Sequence, residues 1–179
     1  MNNFMIKVAA IFSLLLVSNF VYAEKGQPYF GLGYHSGDYE ADNGRDADFA
    51  GINLEFGSYL EHNLALLGNL VLGTSGESID YKGIFIDIDL KYMASIFLRG
   101  DIPFNSQARV YGLLGLSHAT LEASAFDKEI SESDPGISYG LGFEGNLSRN
   151  LSVGAEYIFY LKEDNFEYNA FNISIRQIF

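Results

Sequence analysis

The stretch Ile84-Phe-Ile-Asp-Ile-Asp-Leu-Lys-Tyr-Met-Ala-Ser-Ile-Phe-Leu-Arg-Gly100 decides the fold. Ile84, Ile86, Ile88, Leu90, Tyr92, Ala94, Ile96 and Leu98 recur at every second position. Between them stand Asp87, Asp89, Lys91, Ser95 and Arg99. A period of two is strand geometry, because successive side chains leave a pleated backbone on opposite faces. The stretch therefore predicts one long strand that keeps a single phase from Ile84 to Gly100, apolar on one side and charged on the other.

Working outward, the same alternation marks seven further segments. They are Tyr29–His35, Ala50–Gly57, Leu64–Gly73, 109–117, Ile137–Glu144, Leu151–Tyr160 and Tyr168–Phe179. Leu64–Gly73 is the weakest, since Leu67 and Val71 fall on the face that should be polar. Across all eight segments, Glu55, Asp87, Asp89, Lys91, Arg99, Arg109, Glu144, Glu156 and Arg176 stand opposite the apolar set, and no charge stands within it. A sandwich in water would put such charges outside and the apolar set inside. Three features favour the inverse. Seven of the eight segments have 7 to 12 residues, around the roughly 9 to 11 of a tilted membrane strand. Gly31, Gly33, Gly115, Gly140, Gly142 and Gly154 crowd the polar face, as a narrow lumen requires. The chain also opens on an export leader.

Met1–Ala23 reads as a cleavable signal peptide, with Lys7 as its charge, Val8–Val17 as a short apolar core, and Val21 and Ala23 as the small residues before the cut. The mature domain is then Glu24–Phe179. In lipid every backbone polar group needs a partner, so an exported membrane β-protein must close on itself. The expected fold is all-β, an eight-stranded antiparallel up-and-down transmembrane barrel.

Composition removes several functions. The chain has no cysteine, which excludes a disulfide scaffold and a thiolate metal site. Without Lys7, 10 basic residues face 23 acidic ones, a net charge of −13. Such a surface repels nucleic acid, whose affinity rests on cations meeting phosphates. The charge is concentrated in four polar connections: Gly37–Asp48 carries −4, Thr74–Gly83 −1, Glu122–Pro135 −4 and Leu161–Glu167 −2. They alternate with three short ones, Ser58–Asn63, Asp101–Gln107 and Gly145–Asn150. Short turns belong to the periplasmic end of such barrels and longer loops to the outside.

The segments Pro28-Tyr-Phe-Gly-Leu-Gly-Tyr34, Tyr111-Gly-Leu-Leu-Gly-Leu-Ser117 and Gly140-Leu-Gly-Phe-Glu-Gly-Asn-Leu-Ser-Arg-Asn-Leu-Ser-Val-Gly-Ala-Glu-Tyr157 resemble the small eight-stranded outer-membrane β-barrel family. This is the group of the OmpA transmembrane domain and the OmpX/opacity-type proteins. The ending Phe171-Asn-Ile-Ser-Ile-Arg-Gln-Ile-Phe179 resembles the family's last strand. That resemblance implies a signal for the barrel assembly machinery, carried by Phe171, Ile173, Ile175 and Phe179. Gln177 departs from the pattern, standing where an aromatic is commoner.

Several residues invite a chemical role. Glu55, Lys91, Arg99, Arg109, Glu144, Glu156 and Arg176 would form a charge network in the lumen, either as an ion path or as packed salt bridges. Eight strands leave an interior just wide enough for side chains, and inward Tyr29, Met93, Phe97, Tyr111 and Tyr160 would fill it, which favours packing. Asp87 and Asp89 belong to a strand longer than the membrane and are expected at its rim. Asp42, Asp46 and Asp48 approach a cation-chelating run, but a solvated acidic loop accounts for them, and no metal or cofactor is assigned. His118 and Thr120 stand two apart on the lipid-facing side, an arrangement similar to the His and hydroxyl of lipid A deacylases. Lacking a third, orienting group, they predict no enzyme.

The expectation is a barrel in the bacterial outer membrane, a monomer embedded among lipid and lipopolysaccharide. It would be structural, or would act through its acidic outer loops on a host or other surface ligand. A narrow ion channel and a lipid A-modifying enzyme are the rival readings.

Overall fold

A computed structural model describes residues 25–41, 45–81, 84–105, 107–125, 128–163 and 166–179. The expected leader lies outside them. The chain forms nine strand segments: β1 (Pro28–Ala41), β2 (Arg45–Glu61), β3 (Leu64–Ser75), β4 (Glu77–Tyr81), β5 (Ile84–Pro103), β6 (Ala108–Ala125), β7 (Lys128–Asn146), β8 (Leu151–Glu163) and β9 (Phe166–Ile178). All pairings are antiparallel between sequence neighbours, except that β1 also pairs β9 and β3 also pairs β5. β3 and β4 follow one another along the same side of β5 and make a single wall. The sheet is thus a barrel of eight walls, closed by the pairing of β3 with β2 and β5; beyond β3, β4 pairs β5.

Its hydrophobicity is inverted, as the parity of the sequence requires. Leu32, Ile52, Phe56, Leu98, Leu116, Leu141 and Ile173 face outward, while Glu55, Arg99, Glu144, Glu156 and Arg176 are buried inside. Glycines set how close the interior groups come. A Cβ on Gly142 would strike the Tyr111 ring, and one on Gly154 the Arg176 guanidinium.

Two expectations about the strands need correction. The single phase of Ile84–Gly100 breaks at its centre. β5 pairs β6 through Leu90↔Leu121 and then Tyr92↔Thr120, so Lys91 is the extra residue of a bulge. Leu90 consequently turns inward (3% exposed) while Tyr92 stays outward. The neighbouring wall is irregular at the same height, where β3 ends and β4 begins. Side chains at Gly73 and Gly76 would overlap the Leu90 and Ile88 carbonyl oxygens, so the backbones press together there. A bulge re-aims side chains without ending the strand, and alternation alone does not reveal it. Leu67 and Val71, on the nominally polar face of β3, do point inward and are fully buried.

The second correction concerns the loops. Strand pairing runs far into all four of them: β1 and β2 pair as far as Ala41↔Arg45, β6 and β7 to Ala125↔Lys128, β8 and β9 to Glu163↔Phe166, and β4 fills part of the fourth. They are extended hairpins rather than irregular loops. At the other end the connections are tight. Asn105 Oδ1 accepts the Gln107 and Ala108 amides at 2.8 Å each, and Ser148 Oγ accepts those of Asn150 and Leu151. Both ends of the described barrel, Lys25 and Phe179, lie at this short-turn end.

Candidate functional site

The strand interiors bring most of the expected charges together near the middle and short-turn end of the lumen. Arg176 on β9 is the hub. Its Nε donates to Glu55 Oε2 at 2.5 Å, its Nη1 to Glu144 Oε2 at 2.9 Å, and its Nη2 to Glu156 Oε2 at 2.9 Å. Three carboxylates on β2, β7 and β8 thereby share one guanidinium. Arg99 lies beside them, with Nη2 2.8 Å from Glu144 Oε2 and its guanidinium 3.9 Å above the Tyr111 ring. The Tyr111 hydroxyl accepts from Arg176 Nη1 at 2.8 Å and donates to Glu156 Oε2 at 2.9 Å. Arg109 closes the lower end, 3.6 Å from Glu144 and 3.2 Å from Asp101.

Asp101 is a member that the sequence reading placed in a turn. It sits in β5, on the same face as Arg99 two residues earlier, and accepts from Arg99 Nε at 2.7 Å. Lys91 is the reverse case. The bulge turns it outward, its side chain is 48% exposed, and its Nζ lies 3.0 Å from Glu122 Oε1, away from the lumen network. The described network therefore holds Arg99, Arg109 and Arg176 against Glu55, Asp101, Glu144 and Glu156.

Above it stands a second group that parity could not pick out. His35 is fully buried, with Nδ1 2.7 Å from Asn172 Oδ1 and Nε2 2.6 Å from the Tyr168 hydroxyl. An amide oxygen only accepts, so Nδ1 carries the proton and Nε2 accepts from Tyr168. Asn172 Nδ2 in turn donates to Glu156 Oε1 at 3.2 Å and to the Tyr160 hydroxyl at 3.0 Å. The rings pack on one another: His35 on Tyr160 and Tyr168 at 5.9 and 6.0 Å, and Phe49 on Tyr168 at 6.0 Å. On β5, β6 and β7, Ser95, Ser117 and Ser138 form a hydroxyl ladder at 2.7 Å per step, and Ser138 also bonds the Tyr160 carbonyl.

The remaining candidates are dispersed. His118 is exposed on the outer wall, with Thr120 two residues on. Asp89 pairs in register with Glu122 on the outer part of β5, and the Asp87 side chain lies outside the described residues. Of the acidic run, Asp42 lies outside the described residues, and Asp48 is exposed opposite Asp38. Among the described residues no group of three or more His, Asp or Glu could hold a metal ion. Phe171, Ile173, Ile175 and Phe179 all face outward from β9 and its end.

A closed eight-walled barrel with an apolar coat and a charged interior is a transmembrane barrel of the bacterial outer membrane. The chain belongs to the outer membrane protein beta-barrel domain family, whose model matches residues 8–179. It is 31% identical over 113 residues to the attachment invasion locus protein of Yersinia enterocolitica, a match spanning 63% of each protein. Among solved structures it is similar to Ail, the attachment invasion locus protein of Yersinia pestis. There the TM-score is 0.67 at 21% identity, over 87% of this chain and 99% of that one. The same protein in complex with the heparin analogue sucrose octasulfate matches with a TM-score of 0.66 at 22% identity, over the same shares of the two chains.

Proposed function

We propose that the barrel is a closed scaffold that works at the cell surface through its four outer hairpins, as an attachment protein. The observation that carries this reading is the length of those hairpins. The apolar coat on β6 and β7 ends near Leu116 and Ile137, yet the two strands stay paired to Ala125 and Lys128. Continuous ladders hold the projecting residues in fixed positions, which is how a rigid scaffold presents a binding surface. The partial match to an attachment invasion protein supports the same role.

The lumen has no part in the function beyond stability. Its guanidinium and carboxylate groups are bonded to one another, and eight strands leave no spare width. No catalytic step is assigned to His118 and Thr120. Phe171, Ile173, Ile175 and Phe179 act once, during assembly, as the strand that the barrel assembly machinery reads. Lipid and lipopolysaccharide surround the coat.

The partner differs in charge from a sulfated sugar. Four connections at net −11 oppose a polyanion, so the surface ligand offers basic groups. The test is attachment of bacteria displaying the protein to epithelial monolayers. A variant whose hairpins are cut back to two-residue turns just above the coat should attach several-fold less, with the same unboiled-band shift in detergent. Undiminished attachment would remove the hairpins from the function.

A further inference from the structure

One row of outward positions interrupts the apolar coat. Gly100 on β5 and Gly112 on β6 are direct register partners, and the row continues to Leu64 on β3 and to Leu141 and Tyr157 on β7 and β8. Glycine inside a strand weakens it, and stands there where the strand bulges, where the backbone needs a positive φ, or where another group approaches closely. The ladders cross both residues in unbroken register, and neither φ is positive. No neighbour in the chain requires them either, because a Cβ on Gly100 or Gly112 would meet nothing within 4 Å. The inward Gly142 and Gly154 differ, since a Cβ there strikes a side chain. What remains for Gly100 and Gly112 is an approach from outside the chain.

The two glycines floor an open groove of about 660 Å³ on the lipid-facing side. Leu98, Leu114 and Leu141 flank it, and Leu64 bounds it on β3. Tyr139, Tyr157 and Phe159 form the other end, with Phe159 stacked on Tyr139 at 5.0 Å and edge-on to Tyr157 at 5.2 Å. No charged side chain lines it. The glycine end lies toward the short turns: Gly100 precedes Asp101, whose N–H donates to Asn63 O in the β2–β3 turn at 2.8 Å. Size separates the candidate occupants. An apolar cavity of about 150 Å³ holds one benzene ring, so a single side chain from a second copy would leave most of this groove empty. The volume falls instead among sites of about 300–1,000 Å³ that take a whole small ligand. At this depth the barrel is surrounded by acyl chains, not water.

From the glycine row and the groove above it we infer that the barrel wall carries a site for one acyl chain of a periplasmic-leaflet phospholipid. Gly100 and Gly112 let the chain lie against the backbone of β5 and β6, and the aromatic end on β7 and β8 bounds it. The phospholipid headgroup rests beside the β2–β3 turn. The outer hairpins take no part in this site, so it stands apart from the attachment reading.

The test mixes delipidated, folded protein in detergent with palmitoyl-oleoyl phosphatidylethanolamine and reads the complexes by native mass spectrometry. The unsubstituted barrel should keep one phospholipid after weaker adducts are stripped. Gly100→Leu combined with Gly112→Leu fills the floor and should lower the retained fraction several-fold. Gly68→Leu, at an outward glycine of β3 that does not line the groove, should leave it unchanged. If the double variant lacks the unboiled-band shift, Gly112→Leu alone takes its place. The inference is overturned if the unsubstituted barrel retains no phospholipid, if the folded groove variant retains as much, or if Gly68→Leu loses as much. Displacement of the phospholipid by equimolar lipid A would move the site to the other leaflet and overturn it too. So would a dimer that the groove variant abolishes, since the occupant would then be a second copy.

Discussion

Arg176 shows most clearly what a single residue does here. It bonds Glu55, Glu144 and Glu156 at once from a fully buried position. Removing one partner from a buried charge group leaves the others uncompensated, at a cost of about 3–5 kcal/mol. Arg176→Ala should therefore lower the urea midpoint for loss of the unboiled band by much more than Lys91→Ala, because Lys91 pairs with Glu122 at the surface. Equal effects would show that the network contributes little. At the outer end, Asp38 lies opposite Asp48 with Glu40 two residues on. Partial burial, a hydrogen bond to Asp48 and the charges of Asp48 and Glu40 hold its carboxyl above the usual carboxylate range. A carboxyl raised in the folded hairpin favours folding below its unfolded value of about 3.9, and that contribution is lost as pH rises through the folded value. Amide exchange in 36–41, corrected for intrinsic rates, should show more protection near pH 4 than at pH 7. Asp38→Asn should flatten the difference, and an unchanged profile would remove Asp38 as the cause.

At the scale of elements, alternation located every wall and, below the bulge at Lys91, the side on which the strand charges fall. Glu55, Arg99, Glu144, Glu156 and Arg176 could be placed inward because period two is strict within the membrane. What was illegible has local causes. Lys91 sits on a bulge created where β3, β4 and β5 crowd together at Gly73 and Gly76, and no pattern within β5 announces a contact from another strand. Asp101 was missed because polar residues near a turn look like turn residues, although Arg99 and Asp101 two apart on one strand were a usable signal. The hairpin extensions read as loops because, outside lipid, neither face needs to be apolar. The bulge is testable: deleting Lys91 removes only the extra residue, so Leu90 should stay inward, Asp89 should stay on the other face, and the yield of folded barrel, measured by the unboiled-band shift, should be unchanged. A several-fold loss of folded barrel would show that Lys91 is a regular position of the strand. Just past β9, Phe179→Ala should slow assembly in cells while leaving the unfolding free energy in urea within about 0.5 kcal/mol of the unsubstituted protein. A large loss of stability would make Phe179 a packing residue rather than a signal.

Over the whole molecule, the two ends differ in kind. The short-turn end is tied by hydrogen bonds between strand termini, with Ile178 N donating to Asn150 O at 2.8 Å and Phe179 N to Pro28 O at 3.0 Å. The far end carries most of the chain's excess negative charge on paired strands. The interior between them holds Arg99 and Arg176 bonded to Glu55, Asp101, Glu144 and Glu156. The proposed function divides the molecule accordingly, with stability assigned to the lumen and action to the outer end. Conductance of the purified, folded protein in planar bilayers tests that division most directly. In symmetric salt across a range of voltages, the sealed scaffold predicts a quiet trace at protein amounts that give clear openings with a true porin. Reproducible unitary steps that disappear when the protein is boiled first would contradict it.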